Sequence, residues 1–489
     1  VPPLADDLNI KSGENVQDDS KLPKKVFRDL LMEIGTANVW GSTMAGSIAT
    51  GYVLLLGASE FEFGLLTAFG SIATISAPFF SFIVDRYTQK KKLTLLACLP
   101  VRLLQFAIAL LPLLMFYKIL PKPLALYLVI TIIMSFFNVF ANQAWFSWMG
   151  EIIPAKGRGY YFGRRNFVGS AVAMVFSVIA GLYLDGFQNK YFGFTSLFLF
   201  GSVFAMIAYY YFRQLPEAQN VTPSKEEFTF KTILRRMGEV YADKNFLKLV
   251  KFNAAWTFGI TLIGTYQNMY LIKHLKMSYT LMSSYLLIFS IMGLVTMAFW
   301  GKIIDKYGSK PVMVITANII GIMPLLWVFI SYAQWLLGVM YFISGACWSG
   351  FNLAGFSIML KLSPKEKRAS YLAFNTIVAG IAAAFAPAVG GAILQFIGNY
   401  RLDLLLIQFN NYQLLFILGA FARFLPYFFL NKLQEPKEEQ VQKVLLVVRS
   451  GIMEGVSTML SYVMLPFSYV GNFAWQIIFG DKDEDGKDK

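Results

Sequence analysis

GKIIDKYGSKP, residues 301–311, separates two long apolar runs, and SFIVDRYTQKK, residues 81–91, does the same 220 positions earlier. Each sets an aspartate and a small basic patch into a chain that is 56% apolar, 16% aromatic and only 15% charged. A water-soluble globule needs more polar surface than that, so the solvent for most of this chain is a bilayer. A crossing takes about 20 apolar residues at a 1.5 Å rise. Twelve stretches qualify, near 36–57, 63–84, 93–116, 124–149, 167–184, 192–212, 252–272, 280–300, 311–330, 334–360, 371–397 and 404–430, and ten of them hold no Asp, Glu, Lys or Arg.

Between these spans the basic residues alternate: 35 of the 43 Lys and Arg fall on one side if the amino end is taken as cytoplasmic. The positive-inside rule then puts both termini in the cytoplasm of a multi-pass protein, expected in the plasma (inner) membrane. That asymmetry, and attraction to anionic lipid headgroups, accounts for the formal charge of +14. Nucleic-acid binding is excluded, because the basic residues are dispersed over short loops. GxxxxGK[ST], HExxH and CxxC do not occur, so neither an enzyme nor a bound metal or cofactor is expected. Cys98 and Cys347 lie inside spans and indicate no disulfide framework.

The expected organisation is a disordered tail over 1–24, a six-helix bundle over 25–212, a cytoplasmic linker with an amphipathic helix over 213–251, a second bundle over 252–432 and an extension over 433–489. In the linker, Ile233, Leu234, Met237, Val240 and Tyr241 share one helical face. Residues 455–479 are uncharged, but Pro466 and scattered Ser, Gly and Tyr favour surface helices over a thirteenth crossing. The alternatives for this extension are a true span or a docking element for a protein partner. The two bundles repeat. At an offset of 210, Asn142 falls on Asn352, Phe146 on Phe356, Ser147 on Ser357, Arg158 on Arg368 and Gly181 on Gly391, without a gap.

A six-plus-six arrangement with G-x-x-x-D-(R/K)-x-G-x-(R/K) between the second and third span of each half resembles the major facilitator superfamily. Gly301, Asp305, Lys306, Gly308 and Lys310 match that signature; in the first copy Asp85, Arg86 and Lys90 match, with Ser81 and Thr88 at the glycine positions. The resemblance covers roughly residues 30 to 432. It implies two pseudo-symmetric bundles, related through inverted repeats, that rock by alternating access about a midplane site, and a monomeric transport unit. The signature reads as a latch: at the cytoplasmic mouth, Asp85 and Asp305 accept hydrogen bonds from neighbouring helix amino ends and arginines, with Arg158 and Arg368 in the same gate.

The resemblance further implies that spans one, four, seven and ten line the site. On them stand Asn38 and Trp40; Asn138, Asn142 and Gln143; Trp256, Gln267 and Asn268; Trp348 and Asn352. This lining is neutral and suits a solute with hydroxyls and apolar faces, although Asn and small residues also hold membrane helices together with no ligand. Glu33 and Glu151 sit at the mouths and His274 in an outer loop, so no intramembrane carboxylate proton relay is expected. APAVGG, residues 386–391, echoes in the eleventh span the kinking signature that antiporters carry in the fifth. Two cations lie at depth, Arg102 and Arg423. A structural role, bonding backbone carbonyls or snorkelling, is the plainer reading of both; for Arg102 the sharper one is attraction of an anionic substrate. The expected function is secondary transport of a neutral or amphipathic organic solute. The rival reading is a receptor, lipid-handling or scaffold protein on the same fold.

Overall fold

With no water in a bilayer core, backbone polar groups there must be satisfied within their own segment, so the apolar runs form helices. The computed structural model describes residues 23–154, 158–217, 230–398, 402–404, 407–435 and 439–450. The tail up to residue 22 and the surface helices expected over 455–479 lie outside the described residues.

The first half comprises α1 (Lys24–Thr43), α2 (Gly46–Leu55), α3 (Glu60–Ile75), α4 (Ala77–Asp85), α5 (Lys90–Phe116), α6 (Leu124–Ile152), α7 (Arg158–Gly186) and α8 (Lys190–Gln214). After α9 (Phe230–Ala242) the second half follows: α10 (Lys244–Lys273), α11 (Tyr279–Tyr307), α12 (Ser309–Leu326), α13 (Leu336–Leu362), α14 (Arg368–Ile397), α15 (Asn411–Phe424) and α16 (Tyr427–Asn431). Among the described residues, eleven helical stretches are long and apolar enough to cross a membrane. The expected first span is split instead. Gly46 at φ 58° and Ala45 in extended conformation separate α1 from α2, a backbone path that glycine takes without a Cβ penalty. Pro78 and Pro426, which lack an N–H, stand at the breaks α3/α4 and α15/α16.

Three expectations need correction. The fifth span, expected from residue 167, starts nine residues earlier, because the basic stretch 158–166 forms the first turns of α7. The first residues of the twelfth span belong to a hairpin, β1 (Leu402–Leu404) against β2 (Ile407–Phe409), and α15 starts only where Asn410 and Gln413 form a capping box. Of the amphipathic linker face, Val240 is buried but Tyr241 is exposed.

The buried side chains fall into three cores, and their placement describes the conformation. At the end away from the signature loops one core runs through both halves, joining Tyr52, Phe194 and Phe198 to Tyr266, Met269, Leu394 and Tyr412. At the signature-loop end the halves have separate cores, one around Trp145, Trp148 and Phe212, the other around Phe246, Trp256, Trp300 and Phe351. Residues 441–450 are helical, and Val444 and Val448 belong to the second of these.

Candidate functional site

The closed end is held by two symmetric crossings. A Cβ on Gly181 of α7 would stand 2.8 Å from the Thr280 nitrogen, and one on Gly391 of α14 would stand 2.8 Å from the Phe61 Cα. Only glycine lets these backbones approach so closely. Beside the first crossing, the Asp185 carboxylate accepts from the backbone nitrogens of Tyr279 (3.0 Å) and Thr280 (2.8 Å) and from the Thr280 hydroxyl (2.6 Å), capping the amino end of α11. Beside the second, Glu60 accepts from Lys273 (2.7 Å) and from the Tyr412 hydroxyl (2.9 Å). Among the described residues, every hydrogen bond or ion pair joining the halves involves Glu60 or Asp185.

From that seal towards the signature loops, a cavity of about 910 Å³ opens between α1, α2, α7, α11 and α13. Its polar groups are Asn38, Ser42, Ser47, Ser170, Ser177, Ser283, Ser290, Ser349 and Asn352; Met174, Leu287, Phe289, Met297, Trp348 and Phe356 are among its apolar ones. Among the described residues, no ionisable one lines it. The cavity thus brings together three of the residues expected at the site, Asn38, Trp348 and Asn352. The others stand elsewhere. Asn138 and Asn142 are exposed on α6, with Gln143 half-buried, and α6 supplies no wall. Trp256 is buried against Phe252 and Phe351, while Gln267 and Asn268 are half-buried on α10. Trp40 lies against the Arg102 guanidinium. The serines of α7 and α11 stand on spans five and eight, outside the four spans that the resemblance assigns to the site, and no motif marks them.

At the signature loops both latch aspartates are exposed: Asp85 accepts from the Ser147 hydroxyl at 3.5 Å, and Asp305 has no hydrogen-bond partner among the described residues. Gly308, at φ 98°, turns α11 into α12; Thr88, at the matching place, has no positive φ. The acids that hold these loops are others. Glu435 accepts from the backbone nitrogens of Ser309 (2.9 Å) and Lys310 (2.7 Å) and from the Lys361 ammonium (2.9 Å). Burial opposes its charge, but these donors prevail and hold the carboxyl below its ordinary range. In the first half Glu217 accepts from the Lys91 nitrogen at 3.0 Å, and Lys90 pairs with Glu151. Glu217 and Glu435 each end an L-x-E run, Leu215–Glu217 and Leu433–Glu435, at one offset of 218; that repetition was the sequence signal for them. Arg158 bonds the Gly150 carbonyl at 2.7 Å and Arg368 the Leu360 carbonyl at 3.4 Å, eight residues back in both cases. Arg86 and Lys306 are exposed, and Gly301 faces Leu353.

Glu33 is not a mouth residue. It is 2% exposed and pairs with Arg165 at 2.8 Å, a partner that α7 delivers because its helix begins early. Arg423 donates to the carbonyls of Gly259 (3.4 Å) and Ile320 (3.1 Å).

Two helical halves joined at one end, with a neutral cavity between them, define a membrane transporter. The Major Facilitator Superfamily model matches residues 34–333 and 257–482, and the chain belongs to that family. Among solved structures it is similar to the nucleoside transporter NupG (TM-score 0.63, 14% identity, covering 85% of this chain and 100% of that one). It is also similar to an auto-inhibited POT family peptide transporter (0.65, 11%, 86% and 99%) and to a D-xylose-proton symporter (0.57, 16%, 84% and 97%). At these identities the likeness is one of fold. No curated protein matches the chain.

Proposed function

We propose that the chain is a twelve-span secondary transporter, with α1 and α2 together making the first crossing, that moves a neutral organic solute bearing hydroxyl or amide groups and an apolar face. The observation that carries this reading is the cavity's lining: among the described residues, seven serine hydroxyls and two asparagine amides set among Met, Leu, Phe and Trp, with no ionisable group. The hydroxyls of Ser42, Ser177, Ser290 and Ser349 donate to backbone carbonyls three or four residues back and keep lone pairs that can accept, so a polyhydroxylated or heterocyclic solute can donate to them while its ring faces cover the apolar wall. With both termini cytoplasmic and the signature loops inside, the conformation is closed to the outside and open to the cytoplasm, and the exposed latch aspartates make no bond between the halves among the described residues because the inner ends stand apart. The transport unit is one chain in contact with anionic lipid.

Transport independent of a proton gradient follows from the same lining, since Glu33 is engaged by Arg165 outside the cavity. The test is saturable uptake into proteoliposomes of solutes first selected by thermal shift from sugars, nucleosides, amino acids, organic anions and lipids. A neutral solute should stabilise the protein, and Asn352→Ala should weaken its binding about fivefold, the loss of one hydrogen bond. Uptake confined to organic anions would overturn the neutral assignment, and uptake that tracks an imposed proton gradient would overturn gradient independence.

A further inference from the structure

The two halves meet along two lateral seams, and the seams differ. Along one, α3 and α14 stay together: a Cβ on Gly391 would stand 2.8 Å from the Phe61 Cα, and one on Gly380 would stand 2.9 Å from the Ile75 Cγ1. These contacts lie 14 residues apart on α3, about 21 Å at 1.5 Å per residue. Between them α3 buries Phe63, Ala68 and Ala73, and α14 buries Ala384 and Pro387. Along the other seam, α7 and α11 cross at Gly181 and Thr280 and then part. No residue is buried on α7 between Ser170 and Ile179, and none on α11 between Ser284 and Phe299.

The solute cavity lies at this second seam. Its walls take in Met174 and Ser177 of α7 and Leu286, Leu287, Leu294 and Met297 of α11, and Leu286, Leu294 and Met297 are exposed. Its two asparagines stand on the helices packed behind: Asn38 of α1, beside Gly169 of α7, and Asn352 of α13, a helix tied to α11 by the 2.8 Å bond between Ser349 and Thr296. Both α7 and α11 are membrane-crossing helices, so the medium outside the parted seam is lipid hydrocarbon. A hydrocarbon chain is the occupant that matches leucine and methionine on one side and lipid on the other, because no polar group is left unsatisfied there.

We propose that the seam between α7 and α11 is a lateral portal through which the cavity takes its solute from the bilayer, and that the solute is a neutral single-chain amphiphile. Its uncharged hydroxyl- or amide-bearing head lies at Asn38 and Asn352, and its hydrocarbon chain runs out between α7 and α11. This assignment rests on the neutral-solute reading of the same cavity. A charged head would find no ionisable partner among the described residues of the lining, whereas a chain left in the seam stays in hydrocarbon while the head binds. The portal is one-sided, because the α3 and α14 seam is packed along its length.

Trp348 reports entry, because it lines the cavity on α13 and bromine on an acyl chain quenches indole fluorescence on contact. The full chain is reconstituted into nanodiscs of ordinary or brominated lipid, and the Trp348 contribution is taken as the difference between the parent and Trp348→Phe. That contribution should fall in brominated lipid. Met174 and Leu287 each stand seven residues from the crossing, and the native Cys98 and Cys347 are buried. Cross-linking the double variant Met174→Cys, Leu287→Cys should restore the Trp348 signal and leave its quenching by aqueous acrylamide in place. In ordinary nanodiscs monoolein should raise the melting temperature saturably, and glycerol or oleate at the same concentration should not. A Trp348 signal equal in the two lipids, or a loss that the cross-link leaves unchanged, overturns the portal. Stabilisation by chainless neutral solutes but not by monoolein overturns the amphiphile and leaves the neutral-solute reading standing. Stabilisation by oleate alone overturns the neutral-solute reading, and the portal is then judged on the bromine result.

Discussion

Glu33 accepts a 2.8 Å ion-paired hydrogen bond from Arg165, and at the same place in the other half Asn253 donates a 2.8 Å bond to Asn375. The offsets are 220 between spans one and seven and 210 between spans five and eleven, the two offsets at which the signature and the repeat align. One duplicated contact is therefore ionic in the first half and neutral in the second. Removing one partner of a buried ion pair strands the other's charge, whereas replacing both need cost little. Arg165→Met should destabilise the protein by roughly 3–5 kcal/mol. The double variant Glu33→Asn, Arg165→Asn, which copies the second half, should recover most of that loss in a thermal melt; a double variant as unstable as the single one would count against equivalence.

Gly181 and Gly391 should respond alike. A Cβ at either position meets backbone of the opposite half, Thr280 or Phe61, and backbone cannot swing aside as a flexible side chain can. Gly181→Ala and Gly391→Ala should each populate the conformation in which this end is open. Labelling of a cysteine introduced at Ser47 from the outer face should rise in both; a rise in only one would break the symmetry of the seal.

Asp185 caps α11 only while the ends of α7 and α11 away from the signature loops meet, which are the outer ends in the proposed orientation. Asp185→Asn keeps hydrogen-bond acceptance but removes the charge from the helix amino end, about 1 kcal/mol or roughly a fivefold shift towards the outward-open form. Double electron–electron resonance distances across the outer ends of α7 and α11 measure that population. No change in the distribution would mean that the seal rests on the glycine crossings and the shared core.

Glu435 ties stability to pH with a definite sign. Its folded carboxyl titrates below the ordinary range, so its contribution is complete above the unfolded value of about 4.3 and is lost as pH falls through the folded one. Glu435→Gln should lower stability at neutral pH and approach the parent's stability as the parent is acidified through that window. Parallel melting curves across the whole range would remove Glu435 from the signature-loop network.

Much of this arrangement was legible in the chain. Gly181 and Gly391 aligned by spacing alone, and the structure gives both one job. Gly308 of the signature sits where a positive φ requires it. The pairing of Glu33 with Arg165 was hidden because α7 begins at Arg158, nine residues before the expected span, and a run of charged and aromatic residues at a helix start looks the same as a loop. Asp85 and Asp305 drew attention as the acids of the signature, yet Glu217 and Glu435, remote in sequence, bond the adjoining helix starts.

Composition and spacing by themselves determined the solvent, the helical class, the duplication and the place of the signature loops, because each of these depends on residues close in sequence or on a fixed offset. Tertiary structure alone decided which side of each helix meets lipid, neighbour or cavity. The physical reason is that helices apolar all round carry no periodic signal to tell a lipid-facing leucine from one in a bundle core. For that reason Trp40 and Asn38, two residues apart on α1, could be separated only by seeing one against Arg102 and the other in the cavity wall.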